Sequence, residues 1–149
     1  GGFLDVSVDI AGWFFERGSL VTTESFGGER DDILYKAKGS GMFSSYPIVV
    51  LINAGSASAS EILAGSLRDN LGVILVGEQS FGKGSVQQLE DLRGGSTLKV
   101  TVANWLTPAG NHITDVGLTP DVEIDITNED FEAELDPQFD KAIELIKNL

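Results

Sequence analysis

The chain has 149 residues, 42% of them hydrophobic and 8% aromatic, a balance that fits one compact domain with a core of its own. Acidic residues outnumber basic ones 23 to 10, for a formal charge of -13, which argues against a grip on nucleic-acid phosphates or anionic lipid. With no cysteine and a single histidine, His112, the sequence excludes disulfides, thiolate metal sites, a cysteine nucleophile and multi-histidine metal sites.

The opening Gly1-Gly2, with no Met, reads as the start of an excised piece, so the lack of a signal peptide carries no information on compartment. No stretch approaches the roughly 18 consecutive apolar residues of a spanning helix. From Phe3 to Phe15, apolar residues alternate with acids in a way that predicts a helix packed on one side and stopped near Gly18. Gly27 to Ser45 mixes glycine, serine and charges and reads as an exposed connection, with a short strand at Ile33-Leu34-Tyr35. Pro47 then leads into Ile48-Val49-Val50-Leu51-Ile52, a continuous apolar run expected to be a central parallel strand buried on both faces.

A small-residue turn, Asn53 to Ala57, precedes a helix over Ser58 to Asn70 with Ile62, Leu63 and Leu67 at core spacing. Gly72 ends it and Val73 to Val76 repeats the buried-strand pattern, which completes a right-handed βαβ unit and sets the fold class as α/β. Leu98 to Trp105 alternates as a further strand, followed by a turn at Pro108-Ala109-Gly110 and a closing strand at Val122-Glu123-Ile124. Residues 121 to 149 carry -8 of the net charge, expected as a solvated face plus a terminal helix from Pro137 to Leu149.

Chemistry in such folds gathers at the C-terminal ends of parallel strands, where helix N-termini present unpaired N–H groups. Two loops qualify. In Gly55-Ser56-Ala57-Ser58-Ala59-Ser60-Glu61, small side chains let a substrate backbone approach, and a serine at the helix start sets the next N–H beside a developing oxyanion. Ser58 and Glu61 also have capping-box spacing, which accounts for one serine but not for three alternating ones.

The second loop, Gly77 to Gln87, satisfies the G-x-x-x-x-G-K part of a phosphate loop at Gly77 and Gly82-Lys83. Gly84 stands where that motif needs Ser or Thr for magnesium, and Ser85 comes one place late. Lys83, between two glycines and beside Phe81, is instead expected on a tight apolar turn, where loss of water turns a lysine into a usable base. A serine at one βα turn and such a lysine at the next suggest a nucleophile activated by a neutral amine.

Asn53-Ala54-Gly55-Ser56-Ala57-Ser58-Ala59-Ser60-Glu61-Ile62 followed by Phe81-Gly82-Lys83-Gly84-Ser85-Val86-Gln87-Gln88 resembles the core of the carboxyl-terminal processing peptidases, the tail-specific serine proteases of family S41. Leu106-Thr107-Pro108-Ala109-Gly110, Gly117-Leu118-Thr119-Pro120-Asp121 and the opening Gly1-Gly2 extend the resemblance over most of residues 1 to 126. It implies a crotonase- or ClpP-like ββα core with parallel strands and flanking helices, with Ser58 as nucleophile. Lys83, 25 positions later, would be the general base, and Gln87 would orient it. The oxyanion hole would be the Ala59 N–H with an N–H from Gly1 or Gly2. Ser56 and Ser60 would be turn and packing residues, and Glu61 a cap or packing group. The dyad has no histidine, so His112 would be structural. The resemblance also implies peptide-bond hydrolysis through an acyl-enzyme, no metal or cofactor, a protein or peptide substrate, and an extracytoplasmic setting such as a bacterial envelope or an organelle lumen.

On this reading residues 1 to 126 are a partial catalytic core and 127 to 149 an acidic linker and helix. The family's PDZ domain and leading strand are not in the chain, so a stretch with one side of its oxyanion hole untethered would be inactive alone. Homo-oligomers or adaptors are not legible. The alternatives are a phosphate-binding module on the Gly77 to Lys83 loop and a non-catalytic scaffold.

Overall fold

The computed structural model describes residues 1–149. Its elements in chain order are α1 (Leu4–Ala11), β1 (Leu20–Ser25), β2 (Ile33–Lys36), β3 (Val49–Ile52), α2 (Ala59–Leu71), β4 (Ile74–Gly77), β5 (Ser85–Asp91), β6 (Thr97–Leu106), β7 (Val122–Glu123), α3 (Asn128–Glu132) and α4 (Pro137–Ile146). The strands form two sheets. One is antiparallel in the order β2-β1-β6-β5, and the other is parallel in the order β3-β4-β7.

Helix α2 ties the sheets together. Its Ile62 and Leu67 join Val8, Phe15, Val21 and Ile113 in one apolar cluster, while Ala64 joins Ile52, Leu75 and Leu118 in a second. The helix starts at Ser58 and ends at Gly72, whose φ of 67° is the left-handed turn that glycine adopts without a Cβ clash. Polar contacts fix its far half: Arg68 donates to the Thr119 carbonyl at 3.1 Å, and the Asp69 carboxylate accepts from the Ala109 N–H at 2.9 Å. Both partners lie in loops the sequence singled out.

The parallel βαβ unit forms as expected, with Val49 to Ile52 of β3 paired to Ile74 to Gly77 of β4. The run expected to be the central strand is not central, however. The central strand is β4, with Leu75 and Val76 fully buried; β3 is an edge strand and Leu51 is 43% exposed. The apolar run is therefore covered unevenly: α4 lies on β3 and β4, with Ala142 buried and Gln138 donating to Glu78 at 3.1 Å and to the Ile124 carbonyl at 2.7 Å. Asp136 caps α4 by accepting from the Phe139 N–H at 2.9 Å.

One other expectation changes, and two strands appear that the sequence reading did not assign. The first helix stops at Ala11 rather than near Gly18, and the chain turns through Gly12 to reach β1. Strand β1 had no counterpart in the sequence reading, since its core positions include Thr22, Thr23 and Glu24. Residues after Lys83, read from the sequence as part of a loop, form β5, an edge strand with Gln87, Gln88 and Leu89 exposed.

Candidate active site

The turn from β3 into α2 is built by local hydrogen bonds. Asn53 accepts from Gly55 N–H on its Oδ1 at 2.9 Å and from Ser56 N–H on its carbonyl at 2.8 Å, and Ser56 Oγ accepts from Asn53 N–H at 3.2 Å. Ser56 is thus a turn residue. Ser58 follows with φ 57° and ψ -119°, one of three non-glycine residues at positive φ. Such a conformation costs on the order of 1 to 3 kcal/mol and persists where surrounding bonds over-determine it.

The Ser58 hydroxyl stands in a capping-box arrangement with Glu61, but the Glu61 N–H makes its hydrogen bond to the Ser58 carbonyl, at 2.9 Å. Capping is carried from the other side, where the Glu61 carboxylate accepts from the Ser58 N–H at 2.7 Å. Ser58 is half-buried and Ala59 buried; the Ala59 N–H, first in α2, has no acceptor in the chain. Gly1 sits directly against this turn: a Cβ on it would lie 3.0 Å from the Ala57 carbonyl and 3.6 Å from Ser58 Cβ. A strand, a sharp turn, a strained serine and a helix N-terminus are the parts of a nucleophile elbow.

The second loop is pinned by its backbone. Gly82 and Lys83 donate their N–H groups to Glu61 at 2.7 and 3.0 Å, Asp115 N–H donates to the Gly82 carbonyl at 2.9 Å, and Trp105 N–H to the Gly84 carbonyl at 2.7 Å. A Cβ on Gly84 would stand 2.3 Å from Thr114 N, so only glycine lets the segments touch. Ser80 completes the frame, donating to Glu61 at 2.6 Å and accepting from the Leu118 N–H at 2.7 Å.

Lys83 therefore has a fixed backbone and a free side chain. It is exposed, and its ammonium has no hydrogen bond or ion pair, to Ser58 Oγ or to any other group. The expectation of a lysine walled by apolar groups does not hold here; Phe81 beside it is 65% exposed and leaves it in water. Gln87 lies on β5 opposite Thr101, exposed and with no hydrogen bond to Lys83. His112 bridges to Leu106 on the surface. The phosphate-loop alternative fails on topology, since a strand follows Gly82-Lys83 where a phosphate needs a helix N-terminus.

Beside Ser58 the surface is hollow and apolar. A cavity of about 180 Å³ is lined by Gly2, Phe3, Val6, Ile10, Ala59 and Leu63 among others, and a second of about 390 Å³ continues past Ser60 toward Phe14, Val50 and Leu67. The two share Ile10, Ser60 and Leu63. Sequence reasoning placed Glu61 as a cap or packing group; it does accept from the Ser58 N–H, and its fully buried carboxylate also takes three further donors and has no cation beside it.

The sequence profile of peptidase family S41 matches residues 1–124. The C-terminal processing peptidase of Tetradesmus obliquus, chloroplastic, is 45% identical over 125 residues, 84% of this chain and 26% of that protein. The carboxy-terminal-processing protease of Bartonella bacilliformis is 41% identical over 126 residues, 84% of this chain and 29% of that protein. Among solved structures, the photosystem II D1 C-terminal processing protease superposes with a TM-score of 0.75 at 41% identity, covering 89% of this chain and 34% of that one. The chain thus spans between a quarter and a third of the length of these relatives.

Proposed function

The chain belongs to peptidase family S41, and from that premise we propose that it carries the working centre of a serine endopeptidase of the carboxyl-terminal processing type, with Ser58 as nucleophile and Lys83 as general base. The observation that carries this reading is the Ser58 backbone: a strained serine at a strand-to-helix turn, followed by the Ala59 N–H that has no acceptor in the chain.

In this mechanism substrate filling the cleft strips water from Lys83, and its amine, neutral there, takes the Ser58 Oγ proton as Oγ attacks the scissile carbonyl carbon. The oxyanion of the tetrahedral intermediate accepts from the Ala59 N–H and from an N–H of the Gly1-Gly2 turn, donors already oriented before the reaction. Lys83 returns the proton to the leaving amine nitrogen as the C–N bond breaks, leaving an acyl-Ser58 ester. The same amine then deprotonates the water that hydrolyses the ester and restores Oγ–H. Gln87 steadies the lysine once substrate fills the cleft. The pinned backbone of Lys83 fixes where its stem starts, and catalytic hydrogen bonds commonly tighten only in the substrate complex.

The substrate is a peptide or protein whose apolar side chain beside the scissile bond enters the hollow next to Ser58. The setting is extracytoplasmic, in an envelope or organelle lumen, in keeping with bacterial and chloroplastic relatives. The test is peptide hydrolysis by the intact peptidase. Ser58→Ala and Lys83→Ala should each lower kcat by about 100-fold or more, and Lys83→Arg should not rescue, because a guanidinium stays protonated. Wild-type turnover in Ser58→Ala would return the chain to the scaffold reading.

A further inference from the structure

We propose that Glu61 is a positioning residue whose buried carboxylate holds the Ser58 turn and the Lys83 loop in one register. This rests on the dyad reading above and extends it to a residue that touches neither substrate nor the reacting atoms. Glu61 has no exposed surface, and no lysine or arginine pairs with it. A carboxylate in that position is tolerated only where hydrogen bonds replace its water.

Here the donors are Ser58 N–H and Lys83 N–H on Oε2, at 2.7 and 3.0 Å, and Ser80 Oγ–H and Gly82 N–H on Oε1, at 2.6 and 2.7 Å. One oxygen therefore binds the backbone amides of both proposed dyad members. The other binds the two residues that lead the chain into Lys83. Ser80 in turn accepts from Leu118 N–H, so the Gly117-Leu118 segment is fastened to the same carboxylate. A further backbone bond, Phe81 N–H to the Ser56 carbonyl at 2.9 Å, ties the same two loops outside the carboxylate.

An acid is needed because every one of the four partners donates. A glutamine has the same shape but one acceptor oxygen, and its NH2 would face two N–H groups or Gly82 N–H and Ser80. It would loosen one loop against the other while leaving the surrounding core intact. In the first orientation the strained Ser58 conformation would lose the bond that holds its N–H, and in the second the chain leading into Lys83 would lose its anchor.

The experiment compares Glu61→Gln, Ser80→Ala, their double variant and Ser58→Ala in the intact peptidase, measuring kcat, KM and Tm with one peptide substrate. Glu61→Gln should lower kcat by about 100-fold with KM little changed, the size of effect expected when reacting groups shift by about 1 Å. Ser80→Ala, which keeps the charge and three of its four bonds, should lose less, and the double variant should lose no more than Glu61→Gln alone, since Ser80 acts through Glu61. A folded Glu61→Gln enzyme with wild-type kcat overturns the proposal. If Glu61→Gln does not fold, a folded Ser80→Ala with unchanged kcat overturns it equally, and a kcat loss without a change in Tm supports it. Ser58→Ala separates the two readings: activity retained there removes the dyad, whereas activity lost there with Glu61→Gln unaffected removes only the role of Glu61.

Discussion

Replacing Ser58 by glycine should make the fold more stable while abolishing hydrolysis. The serine holds φ 57° and ψ -119°, where a Cβ is crowded and glycine is not. Relief of that strain is on the order of 1 to 3 kcal/mol, and the greater freedom of glycine in the unfolded chain takes back roughly 0.4 to 1 kcal/mol. A net gain of about 1 kcal/mol remains, equivalent to a rise of about 2 to 4 °C in Tm for a chain of this size. Ser58→Ala is the control, because it removes the same hydroxyl and keeps the strain. Urea unfolding followed by fluorescence of Trp13 and Trp105 reads the difference. If the glycine variant is no more stable than the alanine variant, the strained-elbow argument is refuted.

Gly39→Ala should cost about 3 kcal/mol or prevent folding, since its Cβ would run into the Gly12 carbonyl oxygen; denaturant midpoints of the variant and the wild type test this. Burial, with the Glu24 carboxylate accepting its hydroxyl proton at 2.9 Å, pushes Tyr35 up to about 12 from 10.0. The folded pKa is the higher one, so this contribution is complete below pH 10 and lost as pH rises toward 12. Absorbance titration of tyrosinate and unfolding at alkaline pH should show it, and Tyr35→Phe should remove that part of the pH dependence. Val6→Trp, on the exposed side of α1, should fill the cavity of about 180 Å³ and cut hydrolysis of peptides with a bulky apolar residue at the scissile bond more than of those with alanine there; competition assays read the ratio.

The parallel half of the fold was legible because β4 and α2 carry uniform signals: an unbroken apolar run, helix formers at core spacing and a glycine stop. The antiparallel half was not. In β1 the buried Thr22 and Glu24 make side-chain hydrogen bonds, to the Leu106 carbonyl and from Tyr35, so its core face reads as polar. Strand β5 is an exposed edge with Gln87 and Gln88, which reads as a loop. Gly1 lies against the Ser58 turn, a neighbour that the family resemblance implied and that no local pattern in the sequence could indicate. Lys83 and Gln87 did not reach Ser58, because side-chain burial depends on what covers a loop and not on its own sequence. Glu61 was hidden by its capping-box spacing, which explained one of its four hydrogen bonds and concealed the other three.

The central claim, that Ser58 is a nucleophile activated by Lys83, is tested most directly by covalent trapping of the intact peptidase with a fluorophosphonate and mapping of the adduct by peptide mass spectrometry. The account predicts an adduct on Ser58 alone, formed about 100-fold or more slowly in Lys83→Ala. An adduct on Ser56 or Ser60, or one on Ser58 whose rate is unchanged by loss of Lys83, would contradict it.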